Sequence, residues 1–526
     1  MRRLSLWMGL GLIGMAFATL SLFSQPATYA QNADPTEQQA TVNALVEDRL
    51  TATAIQQTDV PITATPFVNP TLTPLPTITL MPTAITVDSG GRDYTANTTV
   101  SREAVYDISD DAFEAYQDGW LDHWSNDFED AEDIFDDLID DEPEFADAYI
   151  AMGINHVLLN DSDDALDNFD IAADLLAQDG GTLIWVVTAA WSDGEIDEAI
   201  DAGERMLNLY PFDAFAVANL VSAYIVSGDL QTAADTATAH LTLNPTASIV
   251  YELRRDIYED LDQDALADFD QLILDAYDED DRGDFDDAIE LMEEAIELVE
   301  DEDLPVINQS LALWNMARFQ LIDGATDDAI ESLEIAREIT PEFGPTYLLL
   351  AIGLQFQFNF DERLDVLNDG IALAPDYPNN YLERALYYTN GSELELAAID
   401  HWQYLQSSNS RTLIWENYDP DDGTVSLPYY MGWQHRLPIE LEDGDELTIT
   451  AEDDTDTDGA EVDALIVVLD PDGNPIASHD NEDFSNSDAE IDRLDIEEDG
   501  VYTIVIGMGT GSSFGGILEV DVEIDN

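Results

Sequence analysis

The chain has 526 residues, with 114 Asp plus Glu against 16 Lys plus Arg, for a formal net charge of -98; all the cations are arginine, and cysteine is absent. So negative a balance excludes nucleic acid and anionic lipid as partners, because like charges repel. The lack of cysteine excludes disulfides, thiolate metal sites, cysteine nucleophiles and a lipidated cysteine. The charge suits cationic peptides, divalent ions or a saline medium, or it serves only to keep the surface hydrated.

Arg2 and Arg3 precede an apolar run over residues 4–23, and Thr28-Tyr29-Ala30 supplies small residues for a cleavage point. Residues 1–30 therefore read as a signal peptide. The run is also long enough to span a bilayer, so an uncleaved anchor is the alternative and the only membrane contact expected. Over residues 31–100 a short helical pattern (Val42, Leu45, Val46, Leu50) gives way to Thr and Pro, as in Pro70-Thr71-Leu72-Thr73-Pro74. Proline at this density favours extended conformers, giving either a semi-rigid spacer or a disordered tail. Both readings place the folded part outside the cell or at its surface.

Residues 101–405 carry a 34-residue echo: Ala131, Ala165, Ala199 and Ala233 keep one spacing, Phe135 is followed by Phe169, Gly119 by Gly153, and prolines recur at 143, 211 and 245. A period of this length, with two amphipathic stretches per unit, predicts a helical solenoid that buries its core by stacking. A second series runs through Ala329, Arg363 and Ala397. Between the two, Gly283-Asp284-Phe285-Asp286-Asp287-Ala288 falls one repeat plus 21 residues after Ala233, a surplus that fits one additional helix around residues 248–274. Glycine on first helices, Ala and an aromatic on second helices, and boundary Pro together resemble the tetratricopeptide repeat family. Val187 and Val221 stand where that pattern has Gly, Gly203 where it has an aromatic and Arg363 where it has Ala, which predicts loosely packed or rearranged units.

The resemblance implies a groove, lined mainly by first helices, that binds a peptide or protein. Projecting the family phase places Tyr116, Trp120, Trp124, Ile154, Trp191, Asn219, Asn315 and Arg318 there as candidate partner-binding residues, with His123, Thr188, Ser222 and Trp314 beside them. The aromatics are either binding anchors or fillers of helix seams. The Lys and Asn clamp by which some family members hold a terminal carboxylate is not reproduced, since the chain has no Lys.

From about Arg411 the period becomes alternating. Strands are expected at residues 437–441, 446–450, 465–469, 501–506 and 518–522, parted by turns such as Glu442-Asp443-Gly444-Asp445 and Pro471-Asp472-Gly473-Asn474. This predicts an antiparallel, jelly-roll-like β-sandwich over residues 411–526. The segments Glu442-Asp443-Gly444-Asp445-Glu446-Leu447 and Asp463-Ala464-Leu465-Ile466-Val467-Val468-Leu469-Asp470-Pro471-Asp472-Gly473 resemble the bacterial pre-peptidase C-terminal domain, an accessory module of secreted proteins.

Asp454, Asp456 and Asp458, followed by Gly459, begin as a calcium loop does, and Asp463 could complete it. Leu465 at the twelfth position rules out an EF-hand, so the segment is either a calcium site or a solvated acidic hairpin tip. The six histidines show no metal spacing, and no nucleophile elbow, P-loop or dinucleotide fingerprint occurs in a suitable context. The expected protein is thus multidomain α + β, an exported, non-catalytic interaction scaffold with a peptide or protein partner, cationic in one version. The alternative is a calcium- or salt-stabilised component of the cell envelope.

Overall fold

The computed structural model describes residues 103–525 except 160, 177–178, 421–422, 431, 454–462, 481–487 and 510–514. The expected leader, the Thr/Pro linker and Asp454, Asp456 and Asp458 lie outside the described residues. The described chain opens with a short strand, β1 (Glu103–Tyr106), and continues through seventeen helices. These are α1 (Asp110–Trp124), α2 (Phe128–Asp141), α3 (Ala146–Leu159), α4 (Ser162–Leu175), α5 (Gly180–Asp193), α6 (Ile196–Leu209), α7 (Ala214–Ser227) and α8 (Leu230–Leu241). Then follow α9 (Ser248–Asp260), α10 (Asp264–Arg282), α11 (Phe285–Asp301), α12 (Val306–Asp323), α13 (Thr326–Ile339), α14 (Gly344–Phe356), α15 (Phe360–Leu373), α16 (Asn379–Asn390) and α17 (Leu394–Ser407).

Each helix packs on its sequence neighbours, as a solenoid requires. Ala131, Ala165, Ala199 and Ala233 are fully buried, and Ala267 on α10 continues their series. The helix expected around residues 248–274 is two, α9 and α10, broken at Asp262 in the left-handed region (φ 57). Buried Arg254 and Asp270 pair α9 to α10, while Gly283 closes the turn from α10 into α11. Helix α10 therefore serves two hairpins, which is why the number of helices is odd and the second series is shifted by 21 residues.

The small positions work by close approach. A Cβ on Gly119 would lie 2.5 Å from Cε1 of Phe135, and Gly153 faces Phe169 in the same way one period later. One more period brings Val187 and Gly203: the small and the large residue have changed places, and both are buried. In the following unit buried Val221 stands 16 residues before buried Ala237. The room that Gly203 leaves is taken by Leu220 of the next hairpin, so these units are rearranged between hairpins and not loosened. Arg363, in place of Ala, is buried and bonds Glu383 of the next hairpin at 2.5 Å. Gly153→Ala is expected to lower stability by about 1–3 kcal/mol through overpacking, and G153A/F169L to recover part of the loss; urea unfolding of the two variants measures both.

After α17 come β2 (Arg411–Trp415), β3 (Val425–Tyr430), β4 (Trp433–Leu441), β5 (Glu446–Asp453), β6 (Ala464–Leu469), β7 (Pro475–Asp480), β8 (Ala489–Asp495), β9 (Gly500–Met508) and β10 (Gly515–Asp525). They form a six-stranded sheet, β1-β2-β4-β9-β6-β7, and a four-stranded sheet, β3-β10-β5-β8. All pairs are antiparallel except β1–β2 and β2–β4, which are parallel. The expected antiparallel sandwich thus carries a parallel edge, and its outermost strand comes from ahead of the solenoid in sequence. Strand β6 is buried along its whole length. Leu465, Val467 and Leu469 join Leu382, Tyr404 and Leu405 of α16 and α17 in one core, while Ile466 and Val468 alternate onto the inner face of the sandwich.

Candidate functional site

The inner face of the first three helix pairs is occupied by the sandwich. Trp120 and Tyr116 on α1 are fully buried. Trp120 packs edge-on against Tyr430 and Trp433 at centroid distances of 5.6 and 6.1 Å, and Tyr116 lies 5.7 Å from Trp415. Trp124, half-buried, tilts over Tyr430 at 5.2 Å, and Trp185 of α5 meets the same ring at 5.4 Å. His123 bonds Asn155 of α3 through Nδ1 (3.1 Å) and the Tyr430 hydroxyl through Nε2 (3.3 Å).

At the centre of this contact Arg411, the first residue of β2, is buried with its guanidinium between two helix termini. Nε donates to Asp147 Oδ1 at 2.8 Å and Nη2 to Asp147 Oδ2, while Nη1 donates to Asp179 Oδ2 at 2.8 Å. Tyr106 of β1 donates its hydroxyl to Asp147 and in turn accepts from Nη2 of Arg411 at 3.2 Å. Asp179 is also the N-cap of α5, accepting from the Thr182 amide at 2.7 Å, so one carboxylate ends a helix and anchors the other domain. Burial alone would lower the Arg411 guanidinium, but Asp147 and Asp179 outweigh it and hold it well above its ordinary range. Backbone meets backbone as well: the Gly181 amide donates to Ser410 at 2.9 Å, and a Cβ on Gly181 would stand 3.0 Å from that of Arg411.

The far end of the solenoid grips the same sandwich. His401 on α17 bonds Ser478 Oγ at 2.8 Å, the Tyr404 hydroxyl donates to the Gly509 carbonyl at 2.9 Å, and Gly507 leaves room for Leu405. The sandwich therefore bridges the first three helix pairs and the last.

Ile154 is 1% exposed and sits in the helix seams. Asn315 accepts from the Tyr277 hydroxyl at 2.8 Å, and buried Arg318 donates to Asp280 at 2.6 Å, so both tie α12 to α10. Asn219 donates to Thr188 at 3.3 Å between α7 and α5. Tyr116, Trp120, Ile154, Asn315 and Arg318 are thus interior groups, contrary to their projection onto an open groove. A phase argument names which helix face a residue shares, not whether another part of the chain covers that face. Trp124 and Trp191 keep part of their surface.

Tyr106, Asp147, Asp179, Arg411, Trp415 and Tyr430 carry the contact and were not singled out as site residues. Their one sequence signal is a solitary arginine where helical periodicity turns alternating. Asp463 is buried beside Asp480, and a Cβ on Gly509 would be 2.7 Å from Asp480 Oδ1 and 3.1 Å from Asp463 Oδ2. Among the described residues no group of three or more His, Asp or Glu could hold a metal ion, and no helix is long and apolar enough to cross a membrane. A cleft of about 340 Å³ opens between α2, α3 and α4, with Glu132, Asp136, Asp164 and His156 in its wall.

His435 lies under the contact. Its Nε2 donates to the Pro428 carbonyl at 2.7 Å and its Nδ1 accepts from Trp415 Nε1 at 3.0 Å, which fixes the neutral tautomer. Burial pushes it down to about 4, with the Pro428 carbonyl opposing and Arg411 adding to the shift. Its contribution is complete above the unfolded value of about 6.5 and is lost as pH falls toward 4. Asp213, Asp270, Asp400 and Glu383 are held above the usual carboxylate range by burial and act in the opposite direction. The informative quantity is therefore a difference: between pH 7 and pH 5 the wild type should lose about 2 kcal/mol more than His435→Gln. Equal losses in urea titrations at the two pH values would show that this ring does not titrate on unfolding.

No family model matches the sequence, and no curated protein matches it. Solved structures with similar helical hairpins include MamA (18% identity over 35% of this chain and 96% of that one, TM-score 0.27) and the P58(IPK) TPR domain (16% identity, 56% and 93%, TM-score 0.21). A third is the TPR2AB domain of yeast Sti1 in its pHSP90 complex (19% identity, 50% and 98%, TM-score 0.20). The stacked helical hairpins and the two packed sheets define the chain's class, an α-helical solenoid joined to a β-sandwich.

Proposed function

We propose that the protein is an exported, non-catalytic interaction scaffold whose solenoid holds a peptide or protein partner on the inner face beyond the sandwich. The observation that carries this reading is the cis contact itself. The inner face of the first three helix pairs already grips a folded protein surface through buried aromatics and a buried Arg–Asp cluster, the groups that make strong protein interfaces. Trp191, in the last turn of α5, is half-buried, and the repeat phase assigns it to the same face. The pre-peptidase-like sandwich acts here as a brace between the first and last helix pairs, and the net charge of -98 favours cationic partners. Arg2, Arg3, the apolar run over residues 4–23 and the small residues before Gln31 support export.

The test is selection from a random displayed-peptide library against residues 31–526, with counter-selection on Trp191→Ala. Peptides that lose about tenfold or more in affinity on the variant, about 1.4 kcal/mol, support the reading. Binding indifferent to Trp191, with helicity unchanged, rejects the inner face.

The second reading, a calcium- or salt-stabilised envelope component, is favoured by the two buried carboxylates of Asp463 and Asp480 beside Gly509, of which Asp463 closely follows Asp454, Asp456 and Asp458 in sequence. On this reading calcium raises the melting temperature of the chelated protein well beyond an ionic-strength-matched sodium control. Equal shifts would assign the effect to screening.

A further inference from the structure

Wherever it is described, the turn from first to second helix of a hairpin passes through the left-handed region, and, Gly283 apart, the residues there keep the 34-residue step. Asn126, Gly194, Gly228 and Asp262 hold the position in the first series, Gly324 and Ser392 in the second, with φ between 57 and 91. These are glycine or short polar residues, the types that tolerate such a backbone. The member 34 residues after Gly324 is Phe358, with φ 57. A bulky aromatic here is strained, and strain that packing does not require points to a use for the side chain. Packing does not require it: Phe358 is 68% exposed, and its neighbours Phe356 and Phe360 are 58% and 46% exposed. The Phe358 and Phe360 rings stand 6.3 Å apart at 72°, an edge-to-face pair.

The charge around this tip is of one sign. Asp361 and Glu362 follow Phe360 directly, and Asp327 reaches across from α13 to accept from Gln357 Nε2 at 2.5 Å. The flanking arginines in sequence are engaged: Arg363 is buried on Glu383, and Arg337 pairs with Glu334 at 2.6 Å. Aromatic faces attract cations through the ring quadrupole, and nearby carboxylates add to that attraction while repelling acidic surfaces. We propose that the α14–α15 turn is a docking site for arginine- or lysine-bearing segments of a partner protein, with Phe356, Phe358 and Phe360 as the cation-receiving rings. It is distinct from the inner face and stands even if that face binds nothing.

Phe358→Gly gives a clean test, because it restores the residue that Gly324 shows in the preceding repeat and should leave the melting temperature equal or higher. The probe is a nonapeptide of alternating Arg and Ser, with citrulline replacing Arg in its neutral counterpart, read by fluorescence anisotropy at 0.15 M salt to limit long-range attraction. The expected result is about threefold weaker binding by F358G and about tenfold or more by F356S/F358G/F360S, with the citrulline peptide bound no better by wild type than by the variants. Equal affinity of wild type and F358G would assign binding to the carboxylates alone and overturn the proposal. It is equally overturned if F358G instead abolishes binding to phosphatidylcholine vesicles or self-association in sedimentation, which would make the tip a lipid or self-contact.

Discussion

Replacing Arg411 by Met should weaken the attachment of sandwich to solenoid by about 3–5 kcal/mol, since it strands the carboxylates of Asp147 and Asp179 in a site from which water is excluded. The loss comes from the orphaned carboxylates more than from the missing attraction. Adding Asp147→Asn and Asp179→Asn to Arg411→Met should therefore return a large part of it, although Asp179→Asn also alters the α5 cap. Urea unfolding followed by tryptophan fluorescence discriminates, because Trp120, Trp415 and Trp433 all report on this contact. A lower midpoint with a separate early phase is expected for R411M. An unchanged single transition would mean that the aromatic cluster holds the parts together without the ion pairs.

Trp120→Ala is expected to cost about 3–5 kcal/mol, as for a large aromatic removed from a close-packed interior. On the sequence alone this ring is either a binding anchor or a filler of a helix seam, and the first of these readings expects loss of a partner with the fold intact. The structure redirects that expectation: the indole is 0% exposed and touches His123, Phe135, Tyr430 and Trp433, so truncation opens a cavity shared by two domains. Trp191→Ala, at a half-buried position, should cost markedly less. Thermal melts of the two variants side by side settle the matter. A W120A protein as stable as W191A would show that the sandwich leaves this ring accessible in solution.

Much of the fold could be read from the residues because repeat packing is local. Ala131 to Ala233 and the pairs Gly119–Phe135 and Gly153–Phe169 report contacts within one hairpin, alternation in β4, β5 and β10 reports one buried face, and the unbroken apolar run of β6 reports two. Strand β1 escaped because four residues give too short a pattern, and its partner β2 lies some 300 positions away. The candidate site was misread for the same reason. Tyr116, Trp120 and Ile154 were assigned to the correct helices, but what covers them is set by contacts between distant segments.

The arginines held a legible clue. In a chain without lysine, each one inside a folded region stands out, and Arg254, Arg318, Arg363 and Arg411 are all buried on Asp or Glu of another helix or domain. These four cations serve as internal ties, each holding one or two acidic side chains.

The parallel pairing of β1 with β2 also orders events during synthesis. Helix hairpins can form one after another as the chain emerges, each resting on the last. The first cannot finish: Tyr116 and Trp120 have no cover, and Tyr106 no sheet, until residues 411–433 have been made some 300 positions later. Across that interval the nascent chain displays an aromatic patch and an unpaired strand, the features that invite association between copies. A carboxylate-rich surface that keeps neighbouring chains apart would then protect the protein most before it is complete.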